Sequence, residues 1–226
     1  MITNNIIEDG YLFLNESDFN FDSELLKKVH KIFNQVRSNP EKWFTSYRNH
    51  ESLNNDNEIK SLEDFNKKIE LDEIEAKNNP NFKWFQLWRN SSITNFADNS
   101  VVYEYIQTIV KSIYDYNPPS RDIVTEFTCF TKGCGIAPHR DGTDSNYSRP
   151  SYRICGILSY FSEDWDESHG GNLIINGTDV IIPSKGNIVI LDYTQNNLEH
   201  EVTKVLKDNK YRLSLTTYVS NDKILI

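Results

Sequence analysis

The chain is short of histidine and cysteine and has no long apolar run, and each shortage excludes something. Its 226 residues include three cysteines and five histidines. Cys129, Cys134 and Cys155 are odd in number and form no Cys-x-x-Cys pair, so neither a disulfide framework nor a cysteine-built zinc site is expected. They read as three reduced thiols of a cytoplasmic protein. No apolar stretch approaches the roughly 18 to 20 residues of a membrane span, so no membrane partner is expected. Residues 1–10 show no basic-then-apolar pattern of a signal peptide. Nine glycines and seven prolines are too few for a collagen-like or linker-rich chain. Lys and Arg number 24 against 33 Asp and Glu, a formal net charge of −9, which disfavours a nucleic-acid partner. Any histidine-built site must draw on His30, His50, His139, His169 and His200.

What is present changes character near residue 120. Ser23 precedes a run, Glu24 to Phe33, with apolar residues at spacings of three and four, which predicts a helix. Val102, Tyr105, Ile106, Ile109 and Ile113 form one stripe and predict a second helix over 101–116. Between them, Asn49 to Asn81 is polar and weakly periodic and reads as a mobile loop or short helices. After Asp122 strands are predicted at 123–131, 152–161, 172–176, 179–182, 187–191, 199–205 and 211–219, bounded by Gly, Asn, Pro or Asp turns. Seven short strands without a βαβ alternation point to a sandwich or jelly roll. The fold class is therefore mainly β with flanking helices. Residues 1–226 read as one domain, with 1–120 as a helical or loop extension and 121–220 as the core.

Three elements carry chemistry. In Pro138-His139-Arg140-Asp141-Gly142, residues 139 and 141 point to one side if they lie in or at the end of a strand. By itself His-x-Asp is a weak signal. His200, in Leu198-Glu199-His200-Glu201-Val202, falls in another predicted strand, and two imidazoles with one carboxylate suit a non-haem ferrous ion. Without a partner it would be a plain edge-strand histidine. In Arg212-Leu213-Ser214 the strand period puts Arg212 and Ser214 on one face, continued by Thr216 and Tyr218. If that face is inward, the arginine needs an anionic partner, such as a dicarboxylate gripped by its fork. If outward, it is a surface arginine.

On these residues the chain resembles the 2-oxoglutarate/Fe(II) dioxygenases, and within them the prolyl hydroxylase branch. The likeness spans about residues 122 to 220. It is carried by Phe130-x-x-Gly133 ahead of Pro138-His139-x-Asp141, Arg153, Tyr160-Phe161-Ser162-Glu163-Asp164-Trp165-Asp166, Gly170-Gly171-Asn172-Leu173, Pro183-x-x-Gly186-Asn187, Glu199-His200-Glu201-Val202 and Arg212-x-Ser214. The Asp164-Trp165-Asp166 stretch looks like the hypoxia-sensing prolyl hydroxylases. The resemblance implies a double-stranded β-helix (jelly roll) core. It implies that His139, Asp141 and His200 ligate Fe(II), that Arg212 pairs with the distal carboxylate of 2-oxoglutarate, and that Tyr160 and Ser214 support it. It implies O2 as cosubstrate, ascorbate as a candidate reductant, and hydroxylation of an unactivated C–H bond with release of succinate and CO2. Gly170 and Gly171 would form a tight turn.

Two positions depart from the family pattern. Ile136 and Phe130 stand where many members carry tyrosine, so Tyr160, Ser214 or Thr216 is expected to take over those hydroxyl contacts. Lys207-Asp208-Asn209 would form a hairpin turn that absorbs a slightly long gap between His200 and Arg212. Trp84 and Trp88 read as packing of the extension against the barrel, with a substrate wall as the sharper reading. Arg153 reads equally as a substrate-side arginine or a rim salt bridge, His169 as exposed, and Asp164, Asp166 and Glu167 as a solvated loop. The leading function is a hydroxylase of a peptide or protein residue. A hydroxylase of a free amino acid or other small metabolite, and a catalytically silent jelly-roll binding module, are the alternatives.

Overall fold

Alternation of buried positions decides most of the architecture. The computed structural model describes residues 9–37, 44–49, 84–90, 99–141, 153–193 and 198–220, with scattered positions between 67 and 79. Helix α1 (Ser23–Arg37) buries Leu25, Val29, Ile32 and Phe33 along one stripe. Asp22 caps it: its carboxylate accepts the amide hydrogens of Glu24 at 2.7 Å and Leu25 at 3.2 Å. Helix α2 (Asn99–Tyr114) buries Val102, Tyr105, Ile106, Ile109, Val110 and Ile113, and the two helices pack together.

The strands are β1 (Tyr11–Asn15), β2 (Phe44–Asn49), β3 (Trp84–Asn90), β4 (Ile123–Phe130), β5 (Ile136–His139) and β6 (Arg153–Tyr160). They continue as β7 (Leu173–Ile175), β8 (Asp179–Ile181), β9 (Asn187–Asp192), β10 (His200–Val202) and β11 (Arg212–Ser220). All strand pairings among the described residues are antiparallel, in the order β1-β9-β6-β11-β4-β3-β5-β10-β7-β8, with β2 beside β3. Strand β3 bonds to β4 and, at Phe85 opposite Ile136, to β5. It thus joins one half, β1-β9-β6-β11-β4, to the other, β5-β10-β7-β8.

The first half is buried on both faces. Ile188, Ile190, Ile157, Leu213, Leu215 and Phe127 pack in one cluster with the helices. Val189, Leu191, Tyr160 and Phe130 pack in a second cluster with Leu173, Ile175, Ile181 and Val202 of the other half. Successive residues of β9 therefore belong to different cores, which explains its unbroken apolar run. All seven strands expected after Asp122 are present, as is the turn at 207–209, where Asn209 takes a φ of 58°.

Residues 1–120 differ from the expected helical or loop extension, because they also supply three strands. Strand β1 lies along β9, with Tyr11 opposite Leu191. Its five residues are too short to show alternation, and its partner is remote in sequence. Strand β3 (Trp84–Asn90) follows the strand preference of aromatic residues; its side chains, including Trp84 and Trp88, lie outside the described residues. Most of 49–81 lies outside them as well, although Glu75 and Asn78 are helical. Strand β5 was masked by Pro138, which cannot donate to a ladder. It survives through a bulge: Ile136 and His139 pair with Val202 and His200, so one extra residue is accommodated on the β5 side.

The helix face is testable. Phe33 stacks on Phe161 with ring centroids 4.3 Å apart and meets Phe127 edge-on at 5.0 Å. Phe33→Ala is expected to lower stability by about 3–5 kcal/mol, and Lys27→Ala on the exposed face to stay within about 0.5 kcal/mol of the wild type. Urea denaturation measures both. Equal midpoints would show that α1 is not docked on the sheet.

Candidate functional site

Strands β5 and β10 bring the first group of polar residues together. His139 ends β5, His200 begins β10, and the two are cross-strand partners with ring centroids 4.3 Å apart. Each ring is oriented from behind, because Nδ1 of His139 lies 2.9 Å from the Ala137 carbonyl oxygen and Nδ1 of His200 lies 3.1 Å from that of Leu198. With Nδ1–H donating to these carbonyls, both Nε2 lone pairs are left facing Asp141. The Nε2 atoms lie 3.6 Å (His139) and 3.7 Å (His200) from the Asp141 carboxylate oxygens. One ligand atom from each of the three residues lies within 4.8 Å of the others. Donors about 2.1 Å from a shared metal at right angles sit about 3 Å apart, so a small contraction would close this set on an ion.

The electrostatics agree. Burial raises the Asp141 carboxyl, but His139, the charge of His200 and the Tyr193 hydroxyl outweigh it and hold the group well below the usual carboxylate range. Burial lowers His200 against the opposing pull of Asp141, which favours the neutral imidazole that a metal requires. Tyr193 donates its hydroxyl hydrogen to Asp141 at 2.5 Å, and burial followed by the Asp141 charge raises its phenol.

The second group lies on β6, β11 and β4 of the other half. Arg212 is 1% exposed. Its Nε donates to the Gly171 carbonyl at 2.7 Å, while among the described residues its outer nitrogens reach Ser214 Oγ and Tyr160 Oη, each at 3.4 Å. The guanidinium carbon lies 4.6 Å from the Phe130 ring centre and 5.1 Å from that of Tyr160. Among the described residues no carboxylate pairs with Arg212. Burial lowers its guanidinium from the ordinary value, yet an arginine stays charged in a protein. A buried fork whose outer N–H groups make long contacts to neutral oxygens has the chemistry to accept a carboxylate.

The turn before β7 makes room for this cation. Gly170 and Gly171 take φ values of 70° and 66°, as a tight turn requires. A Cβ on Gly170 would collide with the Lys204 carbonyl oxygen, and one on Gly171 would lie 3.0 Å from Arg212 Cδ.

The six residues singled out in the sequence fall into two groups: His139, Asp141 and His200 converge, and Arg212, Ser214 and Tyr160 form a second cluster. Phe130 contributes a ring face under Arg212 in place of the hydroxyl of a tyrosine. Thr216 does not take over that contact. Its hydroxyl lies 3.2 Å from Thr128 Oγ1, which in turn bonds Ser214 at 2.7 Å.

Two readings are corrected or sharpened. His169 is not exposed, since its side chain is 13% accessible. Its ring accepts the Asp166 amide hydrogen at 3.2 Å and meets Trp165 edge-on at 5.4 Å, so it braces a short 3-10 turn. Arg153 lies 4.0 Å over the Tyr218 ring, a cation–π contact that neither reading included. Sequence reasoning missed Tyr193. The signal was the inward parity of Val189 and Leu191, which position 193 continues.

A model of the 2OG-Fe(II) oxygenase superfamily matches residues 125–220. No curated protein matches the chain. Solved structures share the fold. A 2OG-Fe(II) oxygenase family oxidoreductase from Burkholderia pseudomallei is 12% identical with a TM-score of 0.57, covering 97% of this chain and 89% of its own. A Trichoplax adhaerens prolyl hydroxylase, solved with a hypoxia inducible factor peptide fragment, is 14% identical with a TM-score of 0.53 and covers 99% and 89%. A Pseudomonas putida prolyl-4-hydroxylase is 13% identical with a TM-score of 0.51 and covers 97% of each chain. The architecture is that of the jelly-roll oxygenases.

Arg212 tests whether its cluster is a receptor or a brace. Without ligand, Arg212→Met is expected to unfold within about 1 kcal/mol of the wild type or above it, because losing an unpaired buried charge offsets the carbonyl left unbonded. A loss of about 3 kcal/mol or more in urea denaturation would mark Arg212 as a structural brace.

Proposed function

We propose, from the match of residues 125–220 to the 2OG-Fe(II) oxygenase superfamily, that this chain uses Fe(II), 2-oxoglutarate and O2 and is a hydroxylase acting on a residue of a peptide or protein. The observation that carries the reading is the pairing of a His-Asp-His donor set with a buried guanidinium that has no acidic partner among the described residues. In this reading residues 1–226 work as one domain, with 1–120 supporting the substrate side.

His139 and His200 offer neutral Nε2 atoms and Asp141 offers a carboxylate oxygen to Fe(II). Three protein donors leave positions for cosubstrate and dioxygen. Arg212 grips the distal carboxylate of 2-oxoglutarate, with Tyr160 and Ser214 beside it, and so aims the other end of the cosubstrate at the metal. The iron supplies dioxygen activation that no side chain here can perform. One oxygen atom enters the substrate C–H bond as hydroxyl, the other enters succinate, and CO2 leaves. The carboxylate of Asp141 fills the position a halide would need, which favours hydroxylation over halogenation. The peptide reading is supported by the resemblance to prolyl hydroxylases and by the fold shared with the Trichoplax adhaerens enzyme and its bound peptide fragment.

Protein purified without oxygen is expected to bind an equimolar amount of Fe(II) and to form succinate from 2-oxoglutarate, slowly alone and faster with proline-containing peptides. His200→Ala is expected to abolish turnover. Arg212→Ala is expected to weaken 2-oxoglutarate binding about tenfold or more while sparing Fe(II) affinity. Equal turnover in wild type and His200→Ala would overturn the enzyme assignment. Stimulation by free amino acids alone would overturn the peptide reading.

A further inference from the structure

The Asp141 carboxylate has a partner that the donor set does not account for. Tyr193 follows β9, and its backbone amide donates to the Ile154 carbonyl of β6 at 3.0 Å. That bond continues the β6–β9 ladder beyond the Cys155–Asp192 pair, so the side chain at 193 keeps the inward parity of Val189 and Leu191. Its hydroxyl ends on Asp141 at 2.5 Å.

A second observation shows that room is kept for this contact. Gly156 stands in the middle of the eight-residue strand β6, where glycine weakens a strand and has no side chain to pack. A Cβ there would collide with the Tyr193 hydroxyl and lie 3.1 Å from its ring carbon Cζ. Gly156 does not take a positive φ, so close approach rather than turn geometry explains it. The two residues form one device, a cleared patch of sheet and the phenol that crosses it.

We propose that Tyr193 is a positioning residue for the metal-binding carboxylate: it occupies Oδ2 of Asp141 and leaves Oδ1 to ligate the ion. The inference rests on the metal-site reading above. The bond orients the carboxylate before metal arrives, and it restrains Asp141 from turning both oxygens towards one ion. Its partners come from opposite halves of the jelly roll, since Asp141 follows β5 and Tyr193 follows β9. The ligand is therefore held by the sheet that carries Arg212 as well as by its own.

Co(II) is the probe, titrated into metal-free protein with no cosubstrate and followed by its visible ligand-field absorption. Tyr193→Phe keeps the ring over Gly156 and removes only the hydroxyl. It is expected to bind Co(II) about 10 to 100 times more weakly than the wild type and to shift the absorption bands. Its circular dichroism is expected to be unchanged. Gly156→Ala, which keeps Tyr193 but displaces its hydroxyl, is expected to reproduce the loss, and it replaces Tyr193→Phe should that variant fail to fold. Wild-type affinity and wild-type bands in the folded variant would overturn the role of Tyr193 alone. A wild type that binds no Co(II), or binds it as well after Asp141→Ala, would overturn the metal site and this inference with it.

Discussion

A buried arginine with no carboxylate beside it among the described residues sets the terms for the interior. Arg212 projects from the first residue of β11, and every neighbour that tolerates it is shaped by that charge. Gly171 turns its carbonyl onto Nε and lacks the side chain that would crowd the arginine stem. Phe130 and Tyr160, opposite and beside it on β4 and β6, offer ring faces. Ser214 and Thr128 share a hydroxyl bond that leaves the serine within reach of the guanidinium. None of these neutralises the cation. Desolvating a charge costs several kcal/mol, so an arrangement of this kind is stable to the extent that the rest of the core over-determines it, and it gains when an anion binds.

That over-determination comes from the sheet being covered on both sides. The helices α1 and α2 seal the outer face of β9, β6, β11 and β4 with large apolar residues, so the inner face is free to carry polar ones. Strand β11 shows the division at single-residue resolution: Leu213 and Leu215 go to the helices, and Arg212 and Ser214 go inward. The same alternation that builds the core therefore aims the guanidinium inward.

This is also why the site was more legible than the scaffold around it. His139, Asp141, His200 and Arg212 sit in local patterns, a period of two and a buried charge among apolar neighbours, that can be read within a few residues. Strand β1 could not be read that way, because five residues become a strand only when β9 arrives from far along the chain. Strand β5 was hidden by Pro138 and revealed only by its bulged pairing with β10. His169 looked exposed because it lies in an acidic loop, and its burial against Trp165 depends on a capped turn that composition does not disclose. Tyr193 carries no motif at all, and the role proposed for it depends on a glycine remote in sequence, diagonal to it on the neighbouring strand.

Away from the β3 link, the two halves of the jelly roll meet largely through apolar packing, which fixes distance poorly in comparison with directed bonds. The donor set lies on β5 and β10 of one half, and the anion receptor lies on β6, β11 and β4 of the other. A ligand that touches both must find them at a set separation. Two polar contacts link the halves at those places: the bond from Arg212 to Gly171, at the turn into β7, and the bond from Tyr193 to Asp141, beyond β5. Each ends on a functional residue and each is cleared by a glycine, Gly171 in one case and Gly156 in the other. Directed bonds at both ends fix the span between the donor set and the buried guanidinium, as the proposed binding of one two-ended cosubstrate would require.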